Sequence, residues 1–162
     1  MFGLLVLVGV SVLVWKLVVP GEQFLSRFTQ LLTTPMIQRG AFSVFSGRSY
    51  ATGSFQGRDV AIRIQLRRSE YEVGYLVVAV RSGGPPTLDY AGIDARARDE
   101  AGRRALFSLA AHDLTIAVED GWLKAQWKPH GFMIFPGRFS EDKWRPVLEA
   151  MHALATSLEA AV

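Results

Sequence analysis

No cysteine occurs in the 162 residues. That excludes disulfides, thiolate metal centres and a cysteine nucleophile, and it fits a reducing compartment without demanding one. Histidine is almost as scarce, with only His112, His130 and His152. No His-x3-His pair or carboxylate spacing joins the three, so local capping and solvation are their expected roles and no metal site is expected. Also missing are a Gly-x-Ser-x-Gly elbow and a His-Glu-x-x-His helix. Gly47, Gly53 and Gly57 lie in strand-like sequence with no Gly-Lys-Ser/Thr triplet after them, so they read as turns and bulges, not as a phosphate loop. The carboxylates Asp89, Asp94, Glu119 and Asp120 are scattered and form no legible acid–base pair. Neither an enzyme nor a cofactor is expected. Long runs of one charge are absent too. The chain carries 18 basic and 15 acidic residues; setting aside Lys16, which lies in the apolar segment, leaves 17 against 15. Such a balance argues against general nucleic-acid affinity, while its small basic excess suits an anionic leaflet or an acidic partner.

What the chain does have is one long apolar segment, Met1 to Val19, in which only Ser11 and Lys16 are clearly polar. As a helix it would extend roughly 28 Å, close to the ~30 Å hydrocarbon core of a bilayer. No Lys or Arg precedes it, and its end, Trp15-Lys16-Leu17-Val18-Val19-Pro20-Gly21, offers no small-x-small cleavage site. A retained anchor is therefore expected in preference to a cleaved signal. Trp15 suits the headgroup level, Lys16 can snorkel into it, and Pro20-Gly21 stops the helix. Lys16 sits at the C-terminal end of the apolar segment and Arg27, Arg39 and Arg48 follow it, so the positive-inside rule puts the C-terminal domain in the cytoplasm. Gly3, Gly9 and Ser11 are small positions where a neighbouring helix could approach, although they form no GxxxG motif.

After the anchor, Glu22 to Thr34 reads as an amphipathic helix with Phe24, Leu25, Phe28, Leu31 and Leu32 on one face. That face suits the bilayer surface, a partner subunit or the protein's own domain, and Phe24 and Phe28 are candidate interface residues. From Ala41 the period changes to two. Strands are expected from Ala41, over Ser49 to Phe55 and Arg58 to Leu66 around a Gln56-Gly57 turn, and over Tyr71 to Arg81. The last of these has apolar residues on both faces and reads as a central, covered strand. Gly83-Gly84-Pro85-Pro86 breaks the chain. Asp94 to Leu109 reads as helix or irregular excursion. Leu114 to Trp127 forms a hairpin about Asp120-Gly121, and Trp144 to Leu158 lie on one face of a last helix that Ser140 or Asp142 can cap, with Pro146 in or near its first turn.

The expected fold class is thus α+β: one N-terminal transmembrane helix (1–19), an amphipathic linker helix (20–40), and a two-layer domain (41–162) of mostly antiparallel sheet covered by a C-terminal helix. Two groups of residues are candidate contacts for a partner. One is the bulky stretch around Trp127, Phe132 and Phe135, which alternatively closes the core. The other is Arg96, Arg98, Arg103 and Arg104, which alternatively form a solvated face. In organisation, one plain anchor and a compact domain without a catalytic signature, the chain resembles the small single-pass accessory subunits of bacterial membrane complexes of respiratory or photosynthetic type. The resemblance implies a non-catalytic structural subunit of the inner membrane, partnered by integral membrane subunits and the lipid bilayer. The alternative is a free membrane-tethered binding or sensing module.

Overall fold

The computed structural model describes residues 23–38, 49–65, 75–127 and 139–161. Helix α1 (23–28) is followed by a 3-10 turn, Thr29–Leu31, and then by β1, Thr33–Gln38. Three more strands follow, β2 (Ser49–Phe55), β3 (Arg58–Gln65) and β4 (Tyr75–Arg81). The short β5 (Thr87–Leu88) leads into α2 (Tyr90–Arg96) and α3 (Glu100–Ala110). The hairpin β6 (Leu114–Glu119) and β7 (Trp122–Trp127) precedes α4 (Glu141–Ala160). The seven strands among the described residues form one antiparallel sheet in the order β1-β2-β3-β4-β7-β6-β5. Both tight hairpins turn on a pair of positive φ angles, 49° and 82° at Gln56-Gly57 and 55° and 74° at Asp120-Gly121. That is the geometry which matches the right-handed twist of the flanking strands.

Register sorts the sheet into two faces. Ala51, Ile62, Val78, Ala125 and Ile116 stand in one cross-sheet row, and Val60, Val80, Leu123 and Val118 in another. These apolar side chains are buried beneath the helices. Over them lie Trp144, Val147, Leu148, Met151, Leu154, Ala155 and Leu158 of α4, all buried and at the expected helical spacing. Pro146 is the sixth residue of α4, just past its first turn. The bond it forfeits would run to the carbonyl of Asp142, and both residues are exposed, so water can serve that carbonyl.

The expected fold class needs correction. No helix among the described residues is long and apolar enough to cross a membrane, so a transmembrane helix is no part of the described fold; Met1 to Val19 lie outside the described residues, as does the strand expected from Ala41. The helical layer also contains more than a single C-terminal helix. Asp94 to Leu109 falls into α2 and α3, each started by an aspartate: Asp89 accepts from the Gly92 N–H at 2.8 Å and Asp99 from the Gly102 N–H at 2.9 Å. The supposed linker helix ends early. Thr33–Gln38 pairs with β2 as an edge strand, because Pro35 has no N–H for a helical ladder and suits a sheet edge. A register shift between Thr33 and Met36, with Thr34 at φ 50°, makes room for it.

The two ends of the sheet differ in what meets there. Leu76, Trp127 and Leu114 lie across from one another at one end, and Arg81, Trp122 and Glu119 at the other. Phe24 of α1 packs edge-on against Phe139 and Trp144, at 5.6 and 5.4 Å between ring centroids, so the chain enters beside the start of α4. The last turn of α4 bonds to Arg58 and Gly83, at the Arg81 end. Helix α3 begins there too, beside Ser157, and ends before Leu114, so it runs antiparallel to α4. We call the Leu76 end proximal and the Arg81 end distal.

Candidate functional site

Two described surfaces present their side chains away from the buried core. The first is the outer face of α3. Gly102, Ala105, Leu106 and Leu109 form its buried stripe. Gly102 is required at the crossing with α4, since a Cβ there would stand 2.6 Å from Asp99 Oδ1 and 2.8 Å from Ser157 Cβ. Asp99 accepts from both the Ser157 hydroxyl and the Gly102 N–H. These bonds, the hydroxyl's first, hold its carboxyl below the usual range. At 100° per residue, Glu100, Arg103, Arg104 and Phe107 fall on the opposite side. Arg104 pairs with Glu100 one turn back. The Arg103 side chain is exposed and has no hydrogen-bond or ion-pair partner among the described residues. Phe107 keeps 78% of its surface in solvent. An aromatic ring left in water forgoes about 1.5–3 kcal/mol of burial. Just before α3, Arg98 is exposed and donates to the Ala95 carbonyl at 3.3 Å, and Arg96 is half-buried.

The second surface is the sheet face turned away from the helices. Its central row, Met36, Thr52, Ala61, Ala79, Lys124 and Ala117, is made mostly of small side chains. On one side runs the row Tyr50, Arg63, Val77, Gln126, Thr115; on the other lie Arg81 and Trp122. The Arg81 guanidinium sits 5.4 Å from the Trp122 ring centroid, and Lys124 pairs with Glu119 at 2.7 Å. Met36 is 73% exposed at the β1 edge.

A third polar group is structural. Arg58 grips both oxygens of Glu159 at 2.5 and 2.7 Å, and its Nη2 also donates to Thr156 Oγ1 at 3.1 Å. Glu159 accepts from the Gly83 N–H as well. The Arg58 bond, seconded by that amide, lowers the Glu159 carboxyl to about 2 against desolvation, and the same pair raises Arg58. This knot ties the end of α4 to the β2–β3 hairpin and to the turn after β4.

The residues singled out in the sequence disperse. Phe24 and Phe28 are core residues, 3% and 0% exposed, and not interface residues: the amphipathic face of α1 is used up against Phe139 and Trp144. Trp127 is likewise buried at the end of β7 and supplies no docking patch. Phe132 and Phe135, with Gly3, Gly9, Ser11, Trp15 and Lys16, lie outside the described residues. Among the arginines, Arg103 and Arg104 share one helix face with Phe107, which sequence reading missed. The signal was available, since Leu106 and Leu109 fix the buried stripe and position 107 then falls on the far side. His112 and His152 are each half-buried, in the turn after α3 and on α4, and the described residues hold no group of three metal-ligating side chains. Comparison with protein-family models, with curated proteins and with solved structures returns no match.

Proposed function

We propose that this protein is a non-catalytic accessory subunit of a larger membrane protein complex, held at the bilayer by its apolar segment Met1–Val19. The observation that carries this reading is the way α1 is built into the core. Only Pro20, Gly21 and Glu22 separate the apolar segment from the first described helix. Phe24, Leu25 and Phe28 of that helix are buried, with Phe28 ring centroids 6.1 Å from Trp144 and 6.3 Å from Phe139. A sensing module that searches for ligands gains from a long flexible tether; a subunit that shores up its neighbours gains from a short, stiff one. The polar side chains of the helix–sheet junction, Arg58, Glu159, Asp99 and Ser157, engage one another and thereby brace the fold.

The test is extraction of the tagged, full-length chain from its native membranes in mild detergent, followed by size analysis and identification of co-eluting chains. Under this reading the chain resists carbonate washing and elutes in a large complex of defined composition. A membrane-bound chain that elutes alone favours the tethered binding module, for which the bare sheet face with Arg63, Arg81 and Trp122 is the available platform. Release by carbonate defeats the membrane reading itself.

A further inference from the structure

We infer that the outer face of α3 is a docking surface for anionic lipid headgroups, with Phe107 entering the interface and Arg103 and Arg104 meeting phosphates. The inference rests on the membrane reading above and names what the exposed face of α3 touches. Three observations converge on it. Phe107 is the most exposed large apolar side chain among the described residues, at 78%. Arginines stand three and four residues before it, on the same side of the helix, and the Arg103 side chain has no partner among the described residues. A basic helix face carrying an aromatic ring is the composition that binds at the headgroup boundary, since the guanidinium forks phosphate while the ring replaces water with acyl chain.

The third observation is placement. Helix α3 runs from the distal end, where Asp99 meets Ser157, to the proximal end, where Leu114 begins β6. Phe107 sits in its last turn, near the end of the sheet at which the chain enters through α1. The three residues between Val19 and α1 span at most ~10 Å, so an apolar segment in the bilayer keeps this end at the headgroup level. Glu100 does not cancel the attraction: it neutralises Arg104 in part, leaves Arg103 unpaired, and lies a turn further from the proximal end than either. An acidic protein surface would match the arginines equally well, but only the bilayer is fixed within reach by the chain's own connectivity.

The lack of cysteine makes the test direct, because Ala110→Cys, in the same last turn of α3 as Phe107, gives one labelling site on the full-length chain and leaves the docking side chains in place. Ala110 is exposed, so the substitution leaves the core intact. An environment-sensitive fluorophore at this position would be read in vesicles of phosphatidylcholine alone and in an equimolar mixture with phosphatidylglycerol, with iodide as quencher. The expected result is a blue-shifted, iodide-protected label in the anionic vesicles only, with protection lost at high salt. Arg103→Gln in the same background should weaken docking about fivefold. A label equally open to iodide in both vesicles overturns the inference, and equal protection in both overturns the role of the arginines. Protection in native membranes but not in anionic vesicles identifies an acidic protein instead, and also overturns it. A chain that fails to stay in the vesicles through a carbonate wash defeats the membrane reading and this inference with it; a retained chain with an open label defeats the inference alone.

Discussion

Among the described residues, Glu159 ties together three separate parts of the chain. Its two oxygens receive Arg58 from β3 and the Gly83 amide from the turn after β4, so one carboxylate joins three elements that are remote in sequence. Converting its whole shift into energy would overstate the bond, because the side chain keeps 30% of its surface in solvent. After screening, about 1–2 kcal/mol is a fair magnitude. The sign follows from the depressed value. The folded carboxyl titrates near 2 against an ordinary 4.5, so the stabilisation is complete above about pH 4.5 and fades as pH falls towards 2. Glu159→Gln should therefore lower the unfolding free energy of the detergent-held chain by about 1–2 kcal/mol at pH 7. The gap to the parent protein should close progressively between pH 4.5 and 2. Denaturant titrations at a series of pH values would check this, and a gap independent of pH would show that the pair acts through packing alone.

At the scale of elements, α1 shows how far a sequence can be read. Its Phe-Leu face was legible, but what it faces was not, because a stripe that packs on a core and one that lies on a bilayer have the same periodicity. Packing decides it: Phe28 is wholly buried among Phe24, Phe139 and Trp144. Phe28→Ala should cost about 3–5 kcal/mol of stability, the range for deleting a core aromatic. A loss of under about 0.5 kcal/mol, typical of surface positions, would return α1 to the membrane surface. The strands that were legible owe it to clean alternation, as in Leu114, Ile116 and Val118, and to turn residues that accept positive φ, as at Asp120-Gly121. Strand β1 was illegible for the opposite reason, since Pro35 and the shifted register beside it break the period of two. Helices α2 and α3 are rich in Ala and charge and have narrow apolar stripes; their clearest marks were the capping residues Asp89 and Asp99, each followed by Gly three positions on. Of the candidate contacts, the arginines were legible as a group, but their common face with Phe107 emerges only once α3 has a defined start.

At the scale of the whole molecule, the topology makes the domain polar. The chain enters at the proximal end, and the connections 39–48, 66–74 and 128–138 all join strands or helices at that same end. Those connections carry Arg39, Arg48, Arg67, Arg68, Lys128 and Arg138 against Glu70 and Glu72. Carboxylates lie at both ends, Asp99, Asp120 and Glu159 at the distal end and Asp113, Glu141 and Asp142 at the proximal one. With the apolar segment Met1–Val19 held in the bilayer, as proposed, and the chain entering through α1 at the proximal end, the domain should stand end-on to the leaflet. Thr115 and Asp59 test this, since both are exposed on the bare face of the sheet but lie in its proximal and distal rows, four residues apart along the strands. That is roughly 13 Å. With Thr115→Cys and Asp59→Cys each carrying a donor fluorophore, energy transfer to an acceptor on lipid headgroups should be clearly stronger from position 115. Equal transfer would mean that the sheet lies flat on the membrane, and stronger transfer from position 59 would mean that the distal end faces it. Either result would remove the physical basis for placing Phe107 at the headgroups, because the proximal end would no longer be the part of the domain nearest the lipid.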